Sequence, residues 1–157
     1  MLADEVGELL RNRGLTLAIA ESCTGGRVSD MITAVPGCSD YFLGGIVSYS
    51  NKAKIDLLGV KKKSLDDVGA VSEEVAVQMA SGALRAFGAD VSVSTTGIAG
   101  PAGATPDKPV GLVYIAVSSK RASVCSNEVF RGSRSQIKDQ AAVKALDMLK
   151  GFLEKQK

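Results

Sequence analysis

Residues 15–26 read Leu-Thr-Leu-Ala-Ile-Ala-Glu-Ser-Cys-Thr-Gly-Gly, and this stretch decides the fold class. Leu15 to Ala20 is short, apolar and compatible with a β-strand, and residues 24–34 read as a helix that begins in glycines. A strand running into a small-residue turn and then a helix is half of an α/β layer unit. Ahead of it, Leu2, Val6, Leu9 and Leu10 fall at helical spacing, with Gly14 placed to end that helix.

The same pattern continues outward. After a turn at Val35-Pro36-Gly37, Phe42 to Tyr49 is a second strand, and Asn51 is a fitting N-cap for a short helix through Leu58 that Gly59 stops. Lys61, Lys62 and Lys63 read as a solvated loop, with a weak phosphate-binding patch as the alternative. Ser72, with Glu73 and Glu74 in the first turn, opens a helix whose Val75, Met79, Ala83 and Phe87 share one face, ended by Gly88. Val91, Val93 and Thr95 alternate with Ser92, Ser94 and Thr96 in a third strand, and residues 97–109 form a loop dense in glycine and proline. Val110 to Val117 and Ser123 to Phe130 read as a hairpin turning at 119–122. Ser133 with Gln136 is a capping box for a last helix with the stripe Ile137, Ala141, Ala145, Leu149 and Phe152. The expected architecture is one domain over residues 1–157, a three-layer α/β/α sandwich on a mixed, mainly parallel sheet.

Composition narrows the chemistry. The 157 residues contain no histidine and three cysteines. This excludes Ser-His-Asp and Cys-His catalysis, a His-ligated zinc and a four-cysteine metal site within one chain. A balance of 19 basic against 17 acidic residues, net +2, argues against nucleic acid or an anionic membrane as the main partner. An odd number of widely spaced cysteines and an N-terminus reading Met-Leu-Ala-Asp-Glu lead us to expect a cytoplasmic protein without a signal peptide. No uncharged run is suited to a membrane helix.

If the first three strands are parallel, the loops after them share one sheet edge, where open α/β domains bind ligands. They are Glu21 to Gly26, Tyr49-Ser50-Asn51, and Thr96-Gly97-Ile98-Ala99-Gly100-Pro101. Ser22 stands at a strand-to-helix turn as a nucleophile would, with Gly25 and Gly26 leaving backbone N–H groups for an oxyanion or phosphate; a tight turn with a Ser or Thr cap fits equally well. Lys54 weighs toward the nucleophile, because a chain without histidine needs another base. Capped at Asn51, its helix would put Lys54 in the first turn, where the macrodipole lowers a lysine pKa; a surface lysine is the alternative. Tyr49 could relay a proton between Ser22 and Lys54, hold the substrate, or simply pack at the strand end. Cys23 lacks an activating neighbour and reads as a small buried residue. No EF-hand spacing, phosphate-binding P-loop or dinucleotide fingerprint occurs, so cofactor-free and metal-free chemistry is expected.

These passages, with Gly69-Ala70-Val71-Ser72 and Lys108-Pro109-Val110-Gly111, closely resemble the C-terminal domain of the competence/damage-inducible protein CinA along nearly the whole chain. That family includes stand-alone nicotinamide mononucleotide deamidases. The resemblance implies Ser22 as nucleophile, Lys54 as its base and Tyr49 assisting, in hydrolysis of nicotinamide mononucleotide to nicotinic acid mononucleotide and ammonia. It implies a small-molecule nucleotide partner, no nucleic acid, no membrane, and a homo-oligomer. Thr24, Gly25, Gly26, Asn51, Thr96, Gly97, Ala99, Gly100 and Arg134 are then the expected substrate-binding residues. Arg134 follows Ser133 where the family has aspartate, and Ala104 stands where glycine is common. The alternatives are a catalytically silent nucleotide-binding or regulatory module, or a Ser-Lys amidase for another carboxamide.

Overall fold

The computed structural model describes residues 1–156. In chain order the elements are α1 (Leu2–Arg13), β1 (Leu17–Glu21), α2 (Arg27–Thr33), β2 (Phe42–Val47), α3 (Asn51–Leu58), α4 (Lys62–Val68), α5 (Glu73–Phe87), β3 (Val91–Gly97), β4 (Leu112–Ser119), β5 (Ser123–Val129) and α6 (Arg134–Lys155). The sheet order is β2-β1-β3-β4-β5. β1 runs parallel to both its neighbours, pairing Ala20 with Ile46 and with Ser94, whereas β3-β4 and β4-β5 are antiparallel. The C-terminal ends of β1, β2 and β3 therefore share one edge, as the sequence implied.

Two apolar layers clamp this sheet. On one face α1, α2 and α6 bury Val6, Leu10, Val28, Ile32, Ile137, Leu146 and Leu149 against Leu17, Ile19, Val93 and Ile115. On the other, α3, α4 and α5 bury Leu58, Leu65, Val75 and Met79 against Ala18 and Ala20. The serines of β3 explain how this second face closes. Ser92 Oγ and Ser94 Oγ donate to the Ala80 and Ala76 carbonyls of α5, both at 2.6 Å. Buried hydroxyls are thereby satisfied, and the small face of α5 lies close on the strand. Gly82 permits the matching approach of α3, since a Cβ there would sit 2.0 Å from the Leu58 carbonyl oxygen.

Three local readings change. The helix read over 24–34 starts at Arg27, because Gly25 (φ 61°) and Gly26 (φ 109°) are left-handed and extend the turn. Lys61–Lys63 is not a loop: Lys61 precedes α4, in which Lys62 and Lys63 pair with Asp66 and Asp67 at i+4 while Leu65 anchors the helix. Ser50, not Asn51, caps α3, its side chain accepting from the Ala53 N–H. Among the described residues no helix is long and apolar enough to cross a membrane, and no acidic, histidine or cysteine cluster is arranged to hold a metal.

Candidate active site

Between the ends of β1, β2 and β3 lies a cavity of about 210 Å³ lined by Ser22, Cys23, Tyr49, Asn51, Lys54, Ala70, Val71, Thr96, Gly97, Ala99 and Arg134. Four larger grooves, about 550, 490, 390 and 300 Å³, lie elsewhere on the surface. Among the described residues, none of them brings a lysine amine onto a serine hydroxyl, as the smaller cavity does. The chemistry is concentrated in the smaller cavity.

Its centre is the pair Ser22 and Lys54. Lys54 is 1% exposed and Ser22 7%, and Lys54 Nζ lies 3.0 Å from Ser22 Oγ. The same nitrogen donates to the carbonyl oxygens of Ser48 (2.8 Å) and Tyr49 (3.0 Å). These three acceptors can take the three hydrogens of the ammonium; once it loses a proton, two hydrogens stay on the carbonyls and the lone pair faces the Ser22 hydroxyl. The surroundings ease that loss. Among the described residues no carboxylate pairs with Lys54, and burial lowers its pKa to about 8. Desolvation, rather than the helix macrodipole expected from the sequence, is the cause; with Ser50 as cap, Lys54 is the fourth residue of α3. Beside it, burial pushes the Cys23 thiol up to about 12, which leaves Cys23 a poor nucleophile.

The turn after β1 is held from within. Glu21, fully buried, accepts at Oε1 from Thr24 Oγ1 (2.6 Å), Gly26 N (3.1 Å) and Val28 N (3.0 Å). At Oε2 it accepts from Ser29 N (3.0 Å) and Ser29 Oγ (2.8 Å). Ser22 N donates to Thr95 O, Gly25 N to Ser22 O and Arg27 N to Thr24 O. Among the described residues, the amides of Cys23 and Thr24 are those in this turn without a protein acceptor.

Four of the expected substrate-binding residues lie off the cavity lining. Thr24 is fully buried with its hydroxyl on Glu21 and Thr95, and Gly25 and Gly26 spend their amides inside the protein, so none of the three lines the cavity. Gly100 does not line it either; its carbonyl accepts from Arg134 Nη1 at 2.8 Å. Asn51, Thr96, Gly97, Ala99 and Arg134 do line it. Tyr49 differs from the relay reading: Lys54 reaches Ser22 directly, and the Tyr49 hydroxyl, on a 62% exposed side chain, accepts from Arg134 Nη2 at 3.1 Å. Arg134 opens α6 behind the Ser133–Gln136 capping box, and so ties the rims of the β2 and β3 loops to that helix. Sequence reasoning missed Ala70 and Val71 as lining residues, and Glu21 as the centre of the turn. The available signal for Glu21 was a lone carboxylate closing an otherwise apolar strand.

The match to known proteins covers the whole site. The family model for the CinA C-terminal domain matches residues 1–153. A CinA-like protein of Desulfotalea psychrophila is 50% identical over 148 residues, 94% of this chain and 36% of that protein. One of Kosmotoga olearia is 48% identical over 97% of this chain and 37% of its own length. The chain thus spans a little over a third of these curated relatives. Among solved structures, the competence damage-inducible protein A of Klebsiella pneumoniae superposes with a TM-score of 0.96 at 32% identity, covering 99% of this chain and 97% of that one. The competence/damage inducible protein CihA of Agrobacterium tumefaciens gives 0.94 at 38% identity, covering 98% and 94%.

Proposed function

The chain belongs to the CinA C-terminal domain family, and on that premise we propose that it is a nicotinamide-nucleotide amidohydrolase, hydrolysing nicotinamide mononucleotide to nicotinic acid mononucleotide and ammonia. The observation that carries this reading is the 3.0 Å contact between Ser22 Oγ and a buried lysine that has no counter-ion. Lys54 takes the hydroxyl proton as Ser22 Oγ attacks the carboxamide carbon, giving a tetrahedral oxyanion. The uncommitted amide of Cys23, a residue that lines the cavity, is the donor best placed in the turn to meet it. Lys54 then passes the proton to the departing nitrogen, the C–N bond breaks and ammonia leaves. Water, deprotonated by the same amine, cleaves the acyl-serine to the acid.

The cavity's 210 Å³ falls below the roughly 300–1,000 Å³ usual for a whole drug-sized ligand. It suits the carboxamide ring alone. The ribose phosphate then lies over the rim, where Arg134, which has no carboxylate partner among the described residues, meets the phosphate. The partner is a small nucleotide, and no residue of the mechanism calls for a metal or cofactor.

The test is ammonia release from nicotinamide mononucleotide by the pure protein, with and without EDTA. We expect release that EDTA leaves unchanged and that falls at least about 10³-fold in Ser22→Ala. Undiminished release by Ser22→Ala would remove the serine from the mechanism. Saturable thermal stabilisation without ammonia would instead identify a silent binding module.

A further inference from the structure

The mechanism leaves a buried carboxylate unused. Glu21 immediately precedes the nucleophile and is inaccessible to solvent. It accepts five hydrogen bonds, from two hydroxyls and three amides. Every partner is a neutral donor, and among the described residues no lysine or arginine pairs with it. Burying a carboxylate without a counter-ion is costly, and well-packed apolar residues commonly serve stability as well or better. Such a group is explained by what it fixes.

What it fixes is the path of the chain from Ser22 to Ser29. Oε1 draws in the amides of Gly26 and Val28, Oε2 that of Ser29, and the Thr24 hydroxyl is clamped between Glu21 and Thr95. Gly25 and Gly26 supply the left-handed residues that let these amides converge on one point. With those donors consumed, Cys23 N and Thr24 N are the amides of the turn left without an acceptor among the described residues, and of the two only Cys23 belongs to the cavity lining. We propose that Glu21 is the positioning residue of the nucleophile turn: its carboxylate gathers the donors of Thr24, Gly26, Val28 and Ser29, holds Ser22 Oγ against Lys54 Nζ, and leaves the Cys23 amide for the reacting carbonyl. This rests on Ser22 being the nucleophile.

The proposal makes a prediction opposite in sign to a purely electrostatic one. A carboxylate charge at Glu21 would disfavour an anion nearby, so removing only that charge should assist an oxyanion. In Glu21→Gln one amide N–H of the turn must instead face the NH₂ of the new side chain, and the turn opens.

The experiment measures kcat and KM for nicotinamide mononucleotide together with the rate at which a fluorophosphonate labels Ser22, all corrected for the folded fraction. We expect Glu21→Gln to lower kcat and the labelling rate together by about 100-fold, with KM within about threefold. Should that variant not fold, Ser29→Ala removes one of the five donors and should slow labelling by about three- to tenfold. Labelling of Glu21→Gln at the wild-type rate or faster, or of Ser29→Ala at the wild-type rate, overturns the positioning role while leaving the nucleophile intact. Absence of labelling in the wild-type protein overturns the nucleophile, and this proposal with it.

Discussion

The two walls that meet at the candidate cavity are built on opposite plans. In the turn after β1, residues Glu21 to Thr24 are all buried, and of the amides from 22 to 29 only those of Cys23 and Thr24 lack a protein acceptor. In the loop after β3, Pro101 to Asp107 are all exposed. That loop is tied by a small turn between Thr105 and Lys108, and by the Lys108 ammonium, which donates to the Val68 carbonyl. The first wall is closed by its own buried hydrogen bonds, whereas the second is open to solvent and held at few points. On the proposed reaction, changes in the first wall should therefore appear in kcat, and changes at the second in KM.

The sharpest test replaces Lys54 by Met, which keeps its length and removes the base. Activity should fall by about 10³-fold with KM little changed. Stability should move the other way. The unfolded chain holds the Lys54 proton up to the ordinary lysine value near ~10.4, while the folded one releases it at about 8. Between those values the unfolded state binds more protons, so stability rises with pH and the cost of burying Lys54 is fully present below about pH 8. Relative to wild type, Lys54→Met should thus be stabilised by about 2 kcal/mol more at pH 7 than at pH 9.5 in urea titrations. An equal difference at both pH values would break the desolvation account.

Arg134 bridges the walls, donating to Gly100 O from one and Tyr49 Oη beside the other. Its role as a phosphate contact predicts that Arg134→Ala raises KM about 30-fold and lowers kcat by less than about threefold. A kcat loss as large as the KM change would place Arg134 with the reacting atoms and blur the division between walls.

A smaller effect comes from pH alone. With Lys54 releasing its proton near 8, about a tenth of the enzyme carries the free amine at pH 7, so kcat/KM should climb about tenfold to a plateau above pH 9. No histidine exists to add another limb. A flat profile from pH 6.5 to 9 would remove Lys54 as the base.

Much of this was legible before any coordinates, for identifiable reasons. Period-two and helical spacings locate β1 to β5 and the long helices, and the absence of histidine directs attention to Ser22 and Lys54. What sequence could not supply was the direction of side chains in tight turns. Ser50 and Asn51 are both good caps, and only the backbone at Ser50, φ −80° and ψ 158°, settles which one closes α3. Thr24 looks like a substrate contact until Glu21 turns its hydroxyl inward. The local reason the sequence offers for a lowered Lys54 pKa is the helix N-terminus, whereas the cause in the fold is a tertiary one, burial beside the ends of β1 and β2. α4 was hidden because its two lysine–aspartate pairs and single buried Leu65 give almost no apolar period.

The least disruptive substitution probes the adjustable wall itself. The Lys108 side chain pins the loop after β3 to the end of α4, yet its contact is with one solvent-facing carbonyl and involves no carboxylate among the described residues. Exposed contacts of this kind contribute a few tenths of a kcal/mol. Lys108→Ala should therefore raise KM only about twofold, leave kcat and thermal stability unchanged, and raise amide hydrogen exchange across residues 101–108. If kcat fell tenfold instead, the loop would be holding the reacting atoms as firmly as the Glu21 turn does, and the two walls would have to be treated as one.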